Sequence, residues 1–417
     1  MGKVMGNIQG RPLLILITAA ASSGFLLFGY DNAVFSGIIV LPWFLETFHH
    51  PDSALLGTVS SLYNVGCAIG AIYAFLFGAQ LGRRKTILSG ASIATVGVII
   101  MCTAEKIPQL LVGRIVTGAA VGVLTSTVGL WQAETTPARV RGRFMCLALL
   151  LGGMGLVTAF YTNYGLRNNT TRTAFVLPLA LKLVFIISVG ILVTFLPESP
   201  HWLFKNDRQD EALHVIMRLQ GHNATRDDPQ VQLHMQEIAE ASQLEGEKGG
   251  FFSGIFVNGP TQNFKRICSG SGIMLMHRLN GINSVTYYVP DTELMPLHIR
   301  EKGMGIAVFT YWIFQFMIVE ITPIVLKNIG YRFYIILAGF NAVIGAVLFL
   351  FYLKTKRKSL EEIDFFFAKR DSFAKKDMNL TIEARGIEPE EKSHGDVATQ
   401  VENTEHELRT INIEQRA

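Results

Sequence analysis

Asp31 and Arg114 are ionisable side chains in or beside apolar stretches of the sequence. Asp31 closes the run Leu13–Tyr30, and Arg114 lies near the start of the run Gln109–Gln132. A charge left alone at mid-membrane costs roughly 2.5–3.5 kcal/mol or more, so each calls for a partner. If they pair, protonating Asp31 would release Arg114; the alternative is a static salt bridge near the membrane surface. Asn283 and Tyr287 are four residues apart and share one helix face. Amide and phenol both donate and accept, which suits them to a ligand's hydroxyls or to hydrogen bonds between helices. Arg83 and Arg84 follow the second apolar run, and Glu134, Arg139, Arg141 and Arg143 are expected in a polar loop after the fourth. There is no nucleophile–base pair, no H-E-x-x-H and no phosphate loop, so the chain does not read as an enzyme. Cys67, Cys102, Cys146 and Cys268 fall in or beside apolar runs without a C-x-x-C or a Cys/His cluster. They read as packing residues, and neither a metal site nor a cofactor is expected.

The elements that must position these groups are membrane helices. The chain has 417 residues, 49% hydrophobic and 17% charged, with a mean hydropathy of +0.33, a combination a soluble domain seldom shows. The net charge of +4 is small, and no Lys/Arg stripe interleaves with aromatics, so no nucleic-acid partner is expected. The solvent is a lipid bilayer. About nine runs are long enough to cross it: Leu13–Tyr30, Leu56–Phe77, Thr86–Ala104, Gln109–Gln132, Phe144–Tyr164, Phe175–Leu196, Ile267–Val289, Gly303–Leu326 and Phe333–Leu353. Each must be helical where it spans, because backbone polar groups find no water there. The first reads as a retained helix, not a signal peptide.

Arg83, Arg84 and Lys85, and then Arg139, Arg141 and Arg143, mark cytoplasmic loops and an internal N-terminus. The first outer loop, Leu41–Leu55, has no Lys or Arg, and Asn168 and Asn169 form sequons on the outer side. Residues 13–196 read as an N-terminal six-helix bundle. Residues 197–263 read as a helical cytoplasmic insert, with Ser199-Pro200, Gly221 and Asp228-Pro229 as helix boundaries. Residues 264–353 read as an incomplete C-terminal bundle, and 354–417 as a mostly disordered cytoplasmic tail. Gly118, Gly122 and Ser126 recur every four residues, as do Gly66, Gly70, Ala74 and Gly78, and such stripes let helices approach closely. The loop Glu134–Arg141 repeats as Glu293–Arg300, with Glu, Pro, an aliphatic residue and Arg at the same spacing, which suggests an internal duplication.

In order along the chain stand Phe28-Gly-Tyr-Asp31, Gly82-Arg-Arg84, Gly113-Arg114, Glu134, Arg141-Gly142, Pro197-Glu-Ser-Pro200, Asn280-Gly-Ile-Asn283, Tyr287-Tyr288 and Ser359-Leu-Glu-Glu362. With these the sequence resembles the sugar porter family of the major facilitator superfamily, in its fungal hexose-transporter-like branch. The resemblance implies an all-α polytopic membrane protein of two bundles around a central site. It implies transport of a monosaccharide or polyol by alternating access, either facilitated or with a proton, at the plasma membrane. It implies substrate contacts at Asn283, Tyr287 and Tyr288, and a proton-coupling pair in Asp31 and Arg114. It further implies gating ion pairs among Arg83, Arg84, Glu134, Arg141, Glu198, Glu293 and Arg300.

The departures matter too. Leu149, His277 and Arg278 stand where relatives carry sugar-contacting glutamines, and hydroxyl partners are lost with them. After Tyr287-Tyr-Val-Pro290, Asp291 onward already resembles the loop before helix eleven. Helices eight to ten are expected to be missing, a gap on the order of 80–120 residues. The gap breaks parity: seven spans from an internal N-terminus end outside, whereas the resemblance wants His298, Arg300 and Lys302 inside. One run does not span, or the last pair inserts inverted, or the 417-residue chain is not the functional product; the last is favoured, and poor transport by this chain is expected. A non-transporting, sugar-sensor-like or degenerate membrane protein is the other reading.

Overall fold

Prolines and short polar residues set the helix starts. Pro12 lies in the first turn of α1 (Arg11–Ile38), Pro42 opens α2 (Pro42–Thr47), and Pro108 lies in the first turn of α5 (Ile107–Thr135), where a missing N–H costs nothing. The Asp52 carboxylate caps α3 (Ser53–Leu81) by accepting the Leu55 N–H at 2.9 Å. Gly82, at φ 82°, turns the chain from α3 into α4 (Arg83–Cys102). Then come α6 (Ala138–Leu166) and α7 (Arg172–Phe195). The short helices α8 (Pro200–Lys205), α9 (Gln209–Gln220) and α10 (Pro229–Leu244) follow, and α11 (Arg300–Ile329) is the last. The computed structural model describes residues 8–221, 224–244 and 300–329, with isolated residues between 267 and 275 and between 332 and 343.

Among the described residues, α1 and α3 to α7 are long and apolar enough to cross a membrane. α1 packs on α6 and α7, α4 on α5 and α7, and α3 lies between α5 and α11. Lipid offers no hydrophobic drive between helices, so close approach must come from small residues. The two glycine stripes meet each other. A Cβ at Gly66 or Gly70 would run into the carbonyls of Ile115 and Ala119, and one at Gly118 or Gly122 into those of Tyr63 and Cys67. Gly29 and Gly155 make the same kind of crossing between α1 and α6. Large apolar side chains such as Ile69, Val96, Ile99, Leu150, Phe160 and Ile187 are left exposed, as lipid-facing positions should be.

Several expected boundaries move. α1 does not end at Asp31 but runs on to Ile38. Glu134 lies inside α5, and Arg139, Arg141 and Arg143 lie inside α6, so the expected polar loop shrinks to Thr136 and Pro137. Arg83, Arg84 and Lys85 form the first turn of α4, not a loop. The outer segment Leu41–Leu55 contains α2. Helices here overrun the apolar core because their ends are satisfied by partner helices as well as by water.

The direction of α11 bears on parity. Gly305 sits beside Ala71 and Phe75, and Glu320 bonds Ser61, so α11 runs antiparallel to α3. Its start, Arg300, therefore lies at the end of the bundle that holds Arg83 and α8, the basic end that the loop charges lead one to expect on the cytoplasmic side. That is the same end as the one the resemblance wants for Arg300. His277, Arg278, Asn283, Tyr287, Tyr288, Glu293 and the tail from Lys354 lie outside the described residues.

Candidate functional site

Asp31 and Arg114 are brought together, and a third charge joins them. Asp31 sits about 10 Å from the outer end of α1, at 1.5 Å per residue, and is 2% exposed. An Arg114 Nη1 lies 3.8 Å from its Oδ1. Lys182 of α7 is fully buried and donates through Nζ to the same Oδ1. The carboxylate thus bonds the ammonium directly and stands off from the guanidinium. Arg114 spends its other donors on backbone: Nε on the Val59 carbonyl and Nη2 on that of Ser60, both at 3.2 Å. Its guanidinium stacks between Phe35 and Tyr63, with Cζ 4.3 and 4.6 Å from the ring centroids. The Arg114 Nη1 makes no hydrogen bond. These groups are buried among helices rather than placed at a water-exposed surface.

The setting is held by neighbouring bonds. Tyr30 donates to the Pro178 carbonyl at 2.9 Å, tying α1 to α7 one turn from Lys182. Asn163 donates to the Val34 carbonyl at 2.9 Å, tying α6 to α1. Lys182 was missed in reading the sequence. It stands inside the apolar run Phe175–Leu196, and a lone cation in such a run demands a carboxylate by the same argument that singled out Asp31.

At the end of the bundle that holds the first turn of α4, residues that the resemblance pairs come together. Arg83 makes a bidentate pair with Glu134, Nε to Oε2 at 2.7 Å and Nη2 to Oε1 at 2.9 Å, both side chains buried. Glu198 caps the N-terminus of α4. Its Oε1 accepts the Arg83 N–H at 2.9 Å and the Ser199 N–H at 3.0 Å, and its Oε2 accepts the Arg84 N–H at 3.2 Å. The positive φ of Gly82 aims those amides, and a Cβ there would come within 2.9 Å of Glu198 Oε2 and 3.1 Å of the Trp202 ring, so only glycine fits. Arg84 reaches across to the Val193 and Thr194 carbonyls at the end of α7. Arg141 is buried at the same end, whereas Arg143 is exposed. The Trp131 indole donates to the Pro197 carbonyl at 3.2 Å and that of Trp202 to the Ala79 carbonyl at 2.8 Å, so the insert is pinned to α3 and α5. In α9 burial pushes the Arg218 guanidinium below its ordinary range, and the Arg218 carbonyl accepts the Gly10 N–H at 2.7 Å.

A third feature lies where α11 meets α3. Trp312 is fully buried, with Phe28 at 5.9 Å, Tyr63 at 6.1 Å and Tyr311 at 5.0 Å between ring centroids. Its Nε1 makes no hydrogen bond. Leu149, at a position of expected glutamine loss, packs against the main core.

Comparison with known proteins bears on the fold and the family. The family model described as "Sugar (and other) transporter" matches residues 16–292 and 289–367. The chain is 28% identical to the MFS-type transporter oryC of Aspergillus oryzae over 464 residues, covering 86% of each protein. It is 23% identical to the sugar transporter STL1 of Saccharomyces cerevisiae over 472 residues, covering 87% of this chain and 83% of that protein. The fold is similar to that of the proton:xylose symporter XylE, with a TM-score of 0.73 at 18% identity, covering 85% of this chain and 99% of that one. The alignments are longer than the part of this chain they cover. About 359 residues of this chain, 86% of 417, take part in the 464-position match to oryC, so about 105 aligned positions have no residue here. The family match also breaks in two at residues 289–292, where Pro290 meets Asp291.

Proposed function

Because the chain belongs to the Sugar (and other) transporter family of the major facilitator superfamily, we propose that it carries a monosaccharide or polyol across the plasma membrane by alternating access, coupled to a proton. The observation that carries this reading is the buried set Asp31, Arg114 and Lys182, contributed by three different membrane helices. A carboxylate with two competing cations in a low-dielectric site has two arrangements, and a carrier needs such a bistable element. The Arg83–Glu134 pair and the Glu198 cap supply the second element, holding the cytoplasmic helix ends together in one state and parting in the other. Trp312, with an apolar ring face among aromatics and an unused donor, suits the face and hydroxyls of a sugar. Asn283, Tyr287 and Tyr288 complete that site in this reading, and Glu293 and Arg300 the gate of the second half.

In this reading the 105 or so aligned positions with no residue here belong to the second bundle, so the 417-residue chain is expected to transport weakly. The test is uptake of labelled hexoses, pentoses and glycerol by yeast lacking its own hexose carriers. The chain is compared with a version in which a relative's segment is restored between Pro290 and Asp291. Saturable uptake, much stronger in the restored version, is expected. Absence of uptake of every such solute by both versions, with both in the plasma membrane, would overturn the transport reading. It would favour the second one, a sensor-like membrane protein, for which the missing segment is the observation.

A further inference from the structure

Lys182 is not among the charges that the sequence patterns marked out, yet it holds the carboxylate on which the coupling argument turns. The charges can be counted. With all three groups ionised the site carries one net positive charge, in a place where Asp31 and Lys182 are both within 2% of full burial. A proton added to Asp31 would leave two buried cations and no anion. That is the least favourable arrangement available, because each charge in the membrane interior needs a partner. A proton removed from Lys182 instead leaves the neutral pair of Asp31 and Arg114. The low-cost proton exchange in this site is therefore on the amine. We propose that Lys182, and not Asp31, is the group that binds and releases the coupled proton, while Asp31 stays ionised and moves between Lys182 and Arg114. This rests on the coupled-transport reading above.

The geometry is that of the protonated state. Asp31 Oδ1 is hydrogen-bonded to Lys182 and 3.8 Å from Arg114, whose Nη1 makes no hydrogen bond. When the ammonium gives its proton to water on the cytoplasmic side, it becomes a neutral amine and no longer outcompetes the guanidinium. Asp31 then closes on Arg114, drawing α1 toward α5 and away from α7. Taking a proton from the outer side reverses the move. One proton is bound and one released per cycle, with the site passing between one positive charge and none.

The groups around the amine come from every element packed on it. They are Asp31 and Tyr30 on α1, Cys102 on α4 and Arg114 on α5, with Tyr63 of α3 beside Arg114. Among the described residues, Asp31 is the one carboxylate paired with either cation. Tyr30 is engaged with the Pro178 carbonyl and Cys102 with that of Val176, whereas the amine and the carboxylate bond each other.

The test does not need transport, so it stands apart from the uptake experiment. The full chain, with its lysines labelled at the 13Cε position, is placed in lipid nanodiscs and followed by NMR from pH 5 to pH 9. Infrared difference spectra of the carboxyl region are taken over the same range. Lys182 is assigned from the signal lost in Lys182→Gln, or in Lys182→Arg if that variant does not fold. The expected result is a Lys182 signal that moves from the ammonium to the amine position, with no protonated-carboxyl band sensitive to Asp31→Asn. A Lys182 signal that stays fixed overturns the proposal, as does a carboxyl band that disappears in Asp31→Asn. In the restored, transporting version, Lys182→Arg should abolish sugar-driven proton movement while sugar exchange persists. Proton movement that survives in Lys182→Arg would equally overturn it.

Discussion

The Ser61 hydroxyl donates to the Glu320 carboxylate at 2.5 Å, joining α3 to α11 across 259 residues of sequence. It joins two helices in a membrane setting, and it fits the antiparallel direction in which α11 lies on α3. A hydrogen bond of this kind contributes about 0.5–1.5 kcal/mol. Ser61→Ala is expected to lower the melting temperature in detergent by on the order of 5 °C. Glu320→Gln, which keeps an acceptor, should lose less. Scanning fluorimetry checks both, and a Ser61→Ala protein that melts with the parent removes the contact from consideration.

The Arg83–Glu134 pair is expected to behave as a unit. Removing one partner leaves the other charge buried without its mate, at a cost of about 3–5 kcal/mol. Arg83→Met and Glu134→Leu should each reduce stability sharply, and the double variant should be no worse than the weaker single. A double-mutant cycle on thermal or denaturant stability reads this out. Additive losses would mean that the two side chains act independently.

The glycine crossings predict a contrast between two equally conservative changes. Gly70→Ala forces a Cβ into the Ala119 carbonyl, where backbone cannot yield cheaply. Gly190→Ala meets nothing within 4 Å and replaces a poor helix former by the best one, worth about 0.5–1 kcal/mol. Yield and size-exclusion profile should fall for the first and hold or improve for the second. Equal behaviour would remove the α3–α5 seam as the reason for the stripe.

The junction of Pro290 with Asp291 predicts a result at the level of the message. If the missing positions were lost from the chain and not from the gene, a transcript read across that junction will contain extra codons for about three apolar spans. The intact mass of the membrane protein is the companion measurement. A continuous junction in both would mean that the short chain is the product, and topology mapping of Arg300 by cysteine labelling would then be the next step.

Much of the candidate site was legible before any fold was known, for particular reasons. Asp31 and Arg114 announced themselves because a charge inside an apolar run has few bland explanations. Cost alone said only that each needs a partner; the pairing of the two came from the resemblance, and Asp31 bonds Lys182 directly. Lys182 obeyed the same rule and was passed over, since a run as apolar as Phe175–Leu196 reads as a simple span when its one cation is not counted. Glu134 and Arg141 were recognised by pattern but assigned to a loop. A polar stretch looks the same whether its backbone is free or helical, and here helices α5 and α6 continue through it.

Length, hydropathy and the ordered motifs determined by themselves that this is a multi-pass helical protein of the sugar porter kind. These are properties of local composition and order, and each is written along the chain. Tertiary structure alone decided that the two glycine stripes face each other, that α11 lies antiparallel to α3, and that Asp31 bonds Lys182 while holding off from Arg114. Those outcomes depend on which helices become neighbours, at what rotation and at what depth. Residues 151 positions apart are brought within hydrogen-bond reach by packing, and no periodicity within either helix carries that information.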